Sequence, residues 1–299
     1  MRHGFLLINK PVGPTSHDIV DVVRKRLYEK NIGHLGTLDP AASGLLVMAV
    51  GSKALKCIEL FQHLIKEYEA QIQLGSVSTT YDREGIIEPL KSKVGWMIPD
   101  DHIIMRLIAD RFIGKIKQVP PEASAVKIGG ERAYRKFRQG RGVNIPPRDV
   151  EITECAVVEY IYPHLKLRVR CGSGTYIRSL AHDLGASLQC GGYLASLKRL
   201  AVSGWQLADS IEPSFTKWGH VIPLKEVLKD FPSVVLTEEQ ADDICHGRDI
   251  VLSSISPLGE RSRVKGLEKD TIAWFNDLPI AILIPSNDGI ELVHARKVL

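Results

Sequence analysis

An aspartate in a stiffened loop is the residue whose setting most strongly suggests chemistry. Asp39 precedes Pro40, and the residue before a proline is driven out of the α region into extended backbone. Gly36 and Gly44 flank it and permit conformations or close approaches that other residues resist. The apolar run at 45–50 predicts a buried strand, which would anchor the carboxylate on a short arm. Such loops often carry catalysis, although an Asp-Pro pair also begins many ordinary turns.

Two more polar residues stand at informative positions. Tyr68 lies in 66–75, where apolar and polar residues alternate, so a strand with an inward-facing tyrosine is predicted. Arg178 falls in the first turn of a helix that is predicted from the spacing of Tyr176, Leu180, Leu184 and Leu188. The helix macrodipole disfavours a cation there, which indicates a nearby carboxylate partner. A strand tyrosine is commonly an ordinary core or rim residue, so Tyr68 alone is not diagnostic.

The most unusual composition lies at 127–148, which holds seven basic residues and one acidic residue with Tyr134 and Phe137 between them. Proline pairs at 120–121 and 146–147 bracket this segment, so it is expected to project from the sheet. Positive charge with interleaved aromatics suits a groove for a nucleic-acid backbone with stacking surfaces. The alternative is a solvated basic loop.

Composition and charge place the chain among ordinary globular proteins. It has 299 residues, of which 44% are hydrophobic and 25% charged. No apolar run approaches the roughly 18–20 residues that span a bilayer, and the run at 5–8 is too short for a signal peptide, so a cytoplasmic protein is expected. Residues 233–299 hold seven basic and eleven acidic residues, a net charge of −4, which leaves +8 on residues 1–232. A polyanionic partner would be drawn to the larger part.

Several chemistries are disfavoured by missing motifs. The chain contains no C-x-x-C pair and no H-E-x-x-H motif, so no metal site is expected. Its five cysteines are expected to be buried free thiols: Cys57, Cys155, Cys171, Cys190 and Cys245. A Walker loop, a dinucleotide fingerprint and a serine elbow are also absent from the sequence.

Periodicity and end signals predict the main elements. A capping box at 15–18 begins a helix whose apolar residues reach position 27. The other predicted helices are at 52–64, 100–112, 176–188 and 236–245. The predicted strands are at 5–8, 45–50, 66–75, 165–171 and 197–205. Residues 213–231 are expected to be a connecting stretch, and a domain boundary is placed near 231–232.

Six blocks occur in an order that is typical of one enzyme family. They are 9–16 (NKPVGPTS), 33–46 (GHLGTLDPAASGLL), 66–68 (KEY), 120–127 with 132–134 (PPEASAVK and RAY), 174–178 (GTYIR) and 197–200 (LKRL). Together they resemble the bacterial TruB-type tRNA pseudouridine synthases, which isomerise the uridine at position 55 in the TΨC loop. The blocks span most of residues 1–204, and their combination is far more specific than any single block.

The resemblance implies a fold and a domain plan. It implies an α+β catalytic domain at 1–231, with a mixed, mostly antiparallel sheet flanked by helices and an RNA-binding insertion at about 119–150. Residues 232–299 resemble, more loosely, the small C-terminal β-barrel module called PUA. Their acidic balance departs from an RNA-gripping face, so this module is expected either to use Arg248, Arg261, Arg263 and Lys265 locally or to serve as support.

The resemblance also implies residue roles. Asp39 matches the catalytic aspartate, Arg178 the arginine that pairs with it, and Tyr68 the tyrosine that stacks on the flipped base and assists proton removal. Tyr176 and Leu197 match residues of the uracil pocket, and His34 matches a histidine that wedges beside the flipped nucleotide. The RNA-binding residues implied in the insertion are Lys127, Arg132, Tyr134, Arg135, Lys136, Arg138 and Arg141.

The expected partner is the T-arm of tRNA, with no cofactor because the reaction is an isomerisation, and the protein is expected to be a monomer. Two other functional hypotheses compete with this one. One is a non-catalytic tRNA-binding or tRNA-folding protein, which is disfavoured because Asp39, Tyr68, Tyr176 and Arg178 occur together. The other is a guide-RNA-dependent synthase, which is disfavoured by the long basic insertion and by the absence of Lys-rich tails.

Overall fold

The structure is a computed structural model that describes residues 3–90, 94–124, 126–251, 256–257, 270–285 and 292–299. The helices in these ranges are α1 (Ser16–Leu27), α2 (Ser52–Cys57), α3 (Asp101–Arg111), α4 (Ala133–Arg138), α5 (Ile177–Ser187), α6 (Leu224–Leu228) and α7 (Glu238–Cys245). Short 3-10 helices occupy Ile58–Phe61, Leu207–Asp209, Pro213–Phe215 and Trp218–His220.

The strands of the first 118 residues are β1 (Gly4–Lys10), β2 (Ile32–Leu35), β3 (Ala42–Val50), β4 (Lys66–Leu74), β5 (Ser76–Ser78), β6 (Ile87–Pro89) and β7 (Gly114–Gln118). Those that follow are β8 (Lys127–Ile128), β9 (Glu131–Arg132), β10 (Arg148–Ile161), β11 (His164–Cys171), β12 (Gly192–Val202), β13 (Trp205–Gln206) and β14 (Ile222–Pro223). The last are β15 (Ser233–Val235), β16 (Ile250–Val251), β17 (Ser256–Pro257), β18 (Thr271–Phe275), β19 (Leu278–Pro285) and β20 (Leu292–Val298).

A ten-stranded sheet forms the centre of the molecule. Its main path is β14-β1-β3-β12-β4-β11-β10-β7, with β2 added beside β3 and β13 beside β12. The pairing of β3 with β12 is parallel, and the other described pairs of this sheet are antiparallel. The expected mixed, mostly antiparallel sheet is therefore confirmed. The parallel junction matters most for function, because it places β12 beside the end of the Asp39 loop.

Alternation along β4 and β11 follows the predicted pattern. Tyr68, Ala70, Ile72 and Leu74 are buried on one face of β4, and Leu165, Leu167, Val169 and Cys171 are buried on the same side of β11. The opposite face is polar and carries cross-strand ion pairs, such as Lys166 with Glu69 at 3.2 Å. The buried face packs against the helices and forms the main core. Every residue from 44 to 50 in β3 is buried, because both faces of that strand are covered.

The helix ends obey local chemistry. Thr15 and Asp18 form the predicted capping box at α1: the backbone N–H of each donates to the other's side-chain oxygen, at 2.8 and 3.1 Å. This satisfies two donors that the first turn of a helix leaves free. Helix α5 begins directly after Tyr176, and its leucines at 180 and 184 are fully buried on the sheet.

Three predicted elements differ in length. The helix predicted at 52–64 ends at Cys57, because the chain tightens into a 3-10 turn that brings Phe61 against Phe5, with ring centroids 5.0 Å apart. The strand predicted at 197–205 begins at Gly192, where pairing with β4 overrides a sequence poor in strand formers. The stretch at 213–231 is less irregular than predicted, since it contains β14 and α6.

A second, smaller sheet has the order β16-β20-β19-β18-β15-β17 and packs with α7 around Ile244 and Leu283. This curled sheet fits the predicted PUA-like module. It also shares an apolar cluster with the back of the large sheet, where Ile272, Ile282 and Leu299 join Phe5. Arg248 pairs locally with Asp242 and Asp243, whereas Arg261, Arg263 and Lys265 lie outside the described residues.

Four of the five cysteines are buried as predicted, but Cys245 is exposed because it lies at the outer end of α7. Across the described parts of the chain, every helix is too short or too polar to cross a lipid bilayer.

Gly44 provides a test of how tightly the parallel junction is packed. Its φ is +106°, and an added Cβ would lie 2.2 Å from the carbonyl oxygen of Arg199 on β12. We expect Gly44→Ala to lower the free energy of unfolding, measured in urea, by roughly 1–2 kcal/mol from left-handed backbone strain and by about 1–3 kcal/mol more from overpacking.

The matched control is Gly114→Ala, because Gly114 has φ +91° and nothing within 4 Å of an added Cβ. Gly114→Ala should lower the free energy of unfolding only by the strain contribution. Equal losses for the two variants would show that β3 and β12 are not in close contact at Gly44.

Candidate active site

The loop that carries Asp39 is held at several backbone positions. The Ser16 hydroxyl donates to the carbonyl of Leu38 at 2.8 Å and accepts from its N–H at 2.9 Å. The N–H of Gly13 donates to the carbonyl of Pro40 at 2.8 Å. The start of α1 and the loop before it therefore fix the residues on both sides of the aspartate.

Two buried cations donate hydrogen bonds to backbone carbonyls in and beside the same loop. The fully buried ammonium of Lys10 donates to the carbonyl of Ala42 at 2.7 Å, and burial lowers its pKa. The fully buried guanidinium of Arg199 donates to the carbonyls of Gly36 at 3.0 Å and Leu45 at 2.7 Å. The stiff loop predicted from Asp39-Pro40 is thus fixed by side-chain hydrogen bonds as well as by proline.

Arg178 joins two carboxylates. Its Nη2 lies 3.0 Å from Asp39 Oδ2 and its Nη1 lies 3.1 Å from Asp82 Oδ2. The side chains of Arg178 and Asp82 are only 10% and 7% exposed, whereas that of Asp39 is 45% exposed. Nη1 also donates to the carbonyl of Ala123 at 3.3 Å. The carboxylate partner inferred from the position of Arg178 is present, and Asp39 is the accessible member of this triad of Asp39, Arg178 and Asp82.

Asp82 lies in the turn between β5 and β6, and nothing in its residue type or spacing predicted a place in the site. Its side chain is only 7% exposed and points inward. Its carboxylate accepts from the hydroxyl of Thr80 and from the N–H of Glu84 at 3.0 Å, so both oxygens have partners. Turn aspartates commonly bond their own backbone in this way. The position of Arg178 predicted one carboxylate partner, and no signal in the sequence indicated a second acid.

Tyr68 and Lys66 form the floor of the site. Burial raises the pKa of the Tyr68 phenol, and the charge of Arg199, opposite it in register on β12, offsets part of that effect. The ammonium of Lys66 donates to the Ser173 hydroxyl at 2.8 Å, and burial and then the charge of Arg199 lower its pKa. These two side chains of one strand face therefore lie beside groups of β12 and of the turn after β11.

Tyr176 is positioned through its backbone. The Gln118 side chain accepts from the N–H of Tyr176 at 2.8 Å and donates to its carbonyl at 3.0 Å. The Ser179 hydroxyl donates to the carbonyl of Val119 at 2.7 Å. The end of β7 thus holds the start of α5, which fixes both Tyr176 and Arg178.

These residues surround a cavity of about 720 Å³. Its lining includes seven of the predicted site residues: Asp39, Tyr68, Tyr134, Arg138, Tyr176, Arg178 and Leu197. The remaining predicted residues are not part of the lining: His34, Lys127, Arg132, Arg135, Lys136 and Arg141. A cavity of this size is typical of small-ligand sites, which span about 300–1,000 Å³.

His34 lies on β2, opposite Met48 of β3. Its ring is partly buried, and burial lowers its pKa, so the imidazole is held in the neutral form. Its Nδ1 has no hydrogen-bond partner among the described atoms.

The basic segment is folded rather than a loose loop. Strands β8 and β9 form a hairpin that leads into α4, and Val126, Ala133, Val143 and Ile145 form a small core of their own. Tyr176 packs against that core. Tyr134, Phe137 and Arg138 of α4 line the cavity, and the Arg138 guanidinium lies 5.6 Å from the centre of the Tyr134 ring. The segment therefore forms one wall of the site.

The arrangement offers an accessible carboxylate, a guanidinium counter-charge, a buried phenol and an aromatic wall. In the described part of the chain, no group of three or more His, Cys, Asp and Glu side chains is arranged to hold a metal ion. The chemistry that these side chains support is attack by a carboxylate or proton transfer on a flat, polar ligand.

A family model described as "TruB family pseudouridylate synthase (N terminal domain)" matches residues 24–177, just over half of the chain. The chain belongs to the TruB family of pseudouridylate synthases. The match spans Asp39, Tyr68, Tyr176 and the insertion, and it ends one residue before Arg178. The family resemblance found in the sequence is thereby confirmed.

Two relatives illustrate the similarity. The tRNA pseudouridine synthase B of Thermosipho melanesiensis is 38% identical over 271 residues, which cover 83% of this chain and 87% of the relative. The protein of the same name from Trichormus variabilis is 36% identical over 293 residues, which cover 94% of this chain and 97% of the relative. The second alignment reaches through the C-terminal module.

Solved structures agree on the fold. The chain superimposes on a Cbf5-Nop10-Gar1 complex with a TM-score of 0.72 at 24% identity, covering 99% of this chain and 84% of that one. An H/ACA RNP bound to a substrate RNA containing 2′-deoxyuridine gives a TM-score of 0.69 at 22% identity, with the same coverage. At these identities the likeness concerns architecture, and it confirms the predicted fold class.

Asp82 provides a test of the triad. In Asp82→Ala, Arg178 would remain buried with one of its two carboxylates missing. Removing one partner of a buried ion pair typically costs about 3–5 kcal/mol, and the exposed Asp39 can compensate only in part. We therefore expect the free energy of unfolding, measured in urea, to fall by at least about 2 kcal/mol.

Glu88→Ala is the matched control, because Glu88 lies on the neighbouring β6 and is exposed. This variant should unfold at the wild-type urea concentration. Equal midpoints for the two variants would contradict a stabilising role for Asp82.

Proposed function

We propose that this protein isomerises the uridine at position 55 in the TΨC loop of tRNA to pseudouridine without a guide RNA. The observation that carries the proposal is the Asp39–Arg178 pair at 3.0 Å, which opens into a cavity of about 720 Å³ lined by Tyr68, Tyr176 and Leu197. The relatives named tRNA pseudouridine synthase B support tRNA as the substrate.

The chemistry balances without a cofactor. The N1–C1′ bond of uridine breaks, the base turns, and a C5–C1′ bond forms. The hydrogen on C5 leaves as a proton, and N1 gains one. Asp39 is the proposed nucleophile, since its carboxylate is the accessible member of the triad. The proposal holds whether the carboxylate attacks the sugar or the pyrimidine ring.

The roles of the other residues follow from their places around the cavity. Arg178 supplies the counter-charge that keeps the Asp39 carboxylate aimed into the cavity. Tyr68 is proposed to stack on the flipped base and to assist removal of the C5 proton. Tyr176 and Leu197, which line the same cavity, are proposed to contact the uracil ring.

The base must leave its stack to reach this site. Extruding a nucleotide costs a few kcal/mol, which contacts in the pocket and with the RNA backbone must offset. His34 is proposed to lie beside the vacated position, consistent with its partly buried, neutral ring next to the Asp39 loop. A neutral imidazole can occupy a gap in a stack without the cost of burying a charge.

The basic insertion at about 119–150 is proposed to bind the T-arm backbone. Its cavity side presents Tyr134 and Arg138, while Lys127, Arg132 and Arg135 are exposed. Lys136 donates to the carbonyl of Ile128 at 3.0 Å and Arg141 pairs with Glu131 at 3.0 Å, so these two also stabilise the insertion.

We propose a catalytic domain at 1–231 and a PUA-like module at 232–299, in a monomeric cytoplasmic protein. The module shares a core with the catalytic domain, and its Arg296 and Lys297 both lie 2.8 Å from Glu59 of the 3-10 helix after α2. Support of the catalytic domain is therefore part of its proposed role.

Asp39→Asn tests the catalytic assignment. We expect the wild-type protein to convert one T-loop uridine of an unmodified tRNA transcript without any guide RNA, as read by pseudouridine mapping. Asp39→Asn should give no product while still binding the tRNA, because the amide cannot act as the nucleophile. Equal product from both proteins would remove Asp39 from the mechanism. If the wild-type protein forms product only with a guide RNA, the guide-dependent alternative is supported. If the wild-type protein binds tRNA but forms no product, the folding-factor alternative is supported.

Replacing Arg132, Arg135 and Arg138 together by Ala tests the insertion. Each phosphate contact contributes about 0.7–0.9 to the slope of log affinity against log salt, so losing three should flatten the slope by about 2. The affinity is measured by filter binding of tRNA between low and physiological salt. The control is Arg106→Ala on α3, an arginine whose side chain is 86% exposed. An unchanged slope in the triple variant would exclude phosphate contacts by these three residues.

A further inference from the structure

Arg199 is the largest fully buried side chain in the described part of the protein. It lies in β12 next to Lys198, which is exposed on the opposite face of the strand. Among the described residues no carboxylate lies within ion-pair distance of Arg199. Its guanidinium instead donates to two backbone carbonyls, and Arg199 lies directly opposite Tyr68 of β4 in register, with both residues lining the cavity.

A buried arginine without an acid is costly for stability. The guanidinium stays charged under all ordinary conditions, and the effective penalty for burying an ion is several kcal/mol. An apolar residue of similar volume would often stabilise such a site. Two further cations, Lys10 and Lys66, are held nearby, and the charge of Arg199 contributes to the lowered pKa of each. The retained charge therefore indicates a role beyond packing.

The neighbours of Arg199 belong to parts of the site that are far apart in the sequence. Gly36 begins the loop that carries Asp39 and Leu45 lies in β3 just after it, and the guanidinium donates to the carbonyl of each. Tyr68 lies on β4, on the other side of β12 from β3, and is opposite Arg199 in register. One planar group thus holds the backbone around the nucleophile through its fork of donors and lies beside the tyrosine.

We propose that Arg199 is a positioning residue that sets the Asp39 carboxylate and the Tyr68 phenol at a fixed separation for catalysis. The inference rests on the proposed function, because it concerns the same reaction. Arg199 need not contact the uridine. It acts through Asp39 and Tyr68, which are proposed to contact the uridine. It also places a positive charge next to the region where the reaction concentrates negative charge.

The electrostatic surroundings of Tyr68 are consistent with this role. Burial raises the pKa of the phenol, Arg199 lowers it, and Cys171 of β11 and Asp39 add smaller effects that raise it. Arg199 is therefore the described group that most favours negative charge on the Tyr68 oxygen.

A purely structural role is the competing explanation. The backbone of Arg199 packs against Gly44 at the parallel junction and its guanidinium donates to Leu45 of β3, so loss of the side chain could simply loosen β3 and β12. The two explanations predict different couplings between the effects of changing Arg199 and of changing Tyr68 on the rate. A general loosening should slow catalysis by the same factor whether or not Tyr68 has its hydroxyl. A positioning role that acts through that hydroxyl should lose much of its effect in Tyr68→Phe.

The test is a double-mutant cycle of Arg199→Met and Tyr68→Phe. The single-turnover rate is followed by release of tritium from C5 of uridine in a labelled tRNA transcript, since C5 loses its hydrogen when the new bond forms. Misplacement by about 1 Å can cost about 10²-fold, so we expect Arg199→Met to slow this step by about 100-fold. The tRNA dissociation constant should change by less than about threefold, because Arg199 is not exposed to bind phosphate.

In the Tyr68→Phe background the same substitution should slow the remaining reaction by less than about tenfold. Lys198→Met, the adjacent exposed cation, should leave the rate unchanged and is the matched control. Circular dichroism melting reports whether each variant folds. If Arg199→Met does not fold, Arg199→Lys takes its place in the cycle, because it keeps the charge but lacks the planar fork that donates to both carbonyls.

The outcomes are distinct. A slowed reaction with unchanged tRNA binding and a reduced effect in Tyr68→Phe supports the proposal. A wild-type rate in the folded Arg199 variant, or the same slowing in both backgrounds, overturns it. No tritium release by the wild-type protein would instead overturn the proposed function.

Discussion

The active site depends on one buried guanidinium. Arg178 is almost fully enclosed, so its charge must be compensated within the protein, and two carboxylates 3.0 and 3.1 Å away do so. The side chain of Asp39 is 45% exposed and that of Asp82 only 7%, so Asp39 is the accessible acid of the two. The pairing fixes one acid by burial and aims the other outward. Arg199, another buried cation, has no carboxylate within ion-pair distance among the described residues, and its guanidinium donates to the carbonyls of Gly36 and Leu45.

The fold brings these groups together from distant parts of the chain. The parallel pairing of β3 with β12 places Arg199 below the Asp39 loop. The antiparallel pairing of β12 with β4 places it beside Tyr68, since Arg199 is opposite Tyr68 in register. Gln118 at the end of β7 fixes the start of α5 and with it Arg178. The basic insertion then closes one wall through the contact of Tyr176 with its small core.

Local signals in the sequence were sufficient for part of this picture. The capping box of α1, the alternation of β4 and β11 and the need of Arg178 for an acid all follow from residue types and spacing. Asp82 did not, because an aspartate among turn residues looks the same whether it faces solvent or an arginine. Arg199 did not either, because nothing local distinguishes a buried cation from its exposed neighbour Lys198. Both depend on long-range contacts, which periodicity does not encode.

The central claim is that the fold aims one carboxylate at a fixed point in the cavity. The most direct test is Asp39→Glu, which keeps the acid and moves it by one methylene. The quantity measured is the single-turnover rate of pseudouridine formation in an unmodified tRNA transcript, together with tRNA affinity. We expect a rate at least about 100-fold lower with affinity unchanged. A rate within a few-fold of wild type would contradict it, because any nearby carboxylate would then suffice.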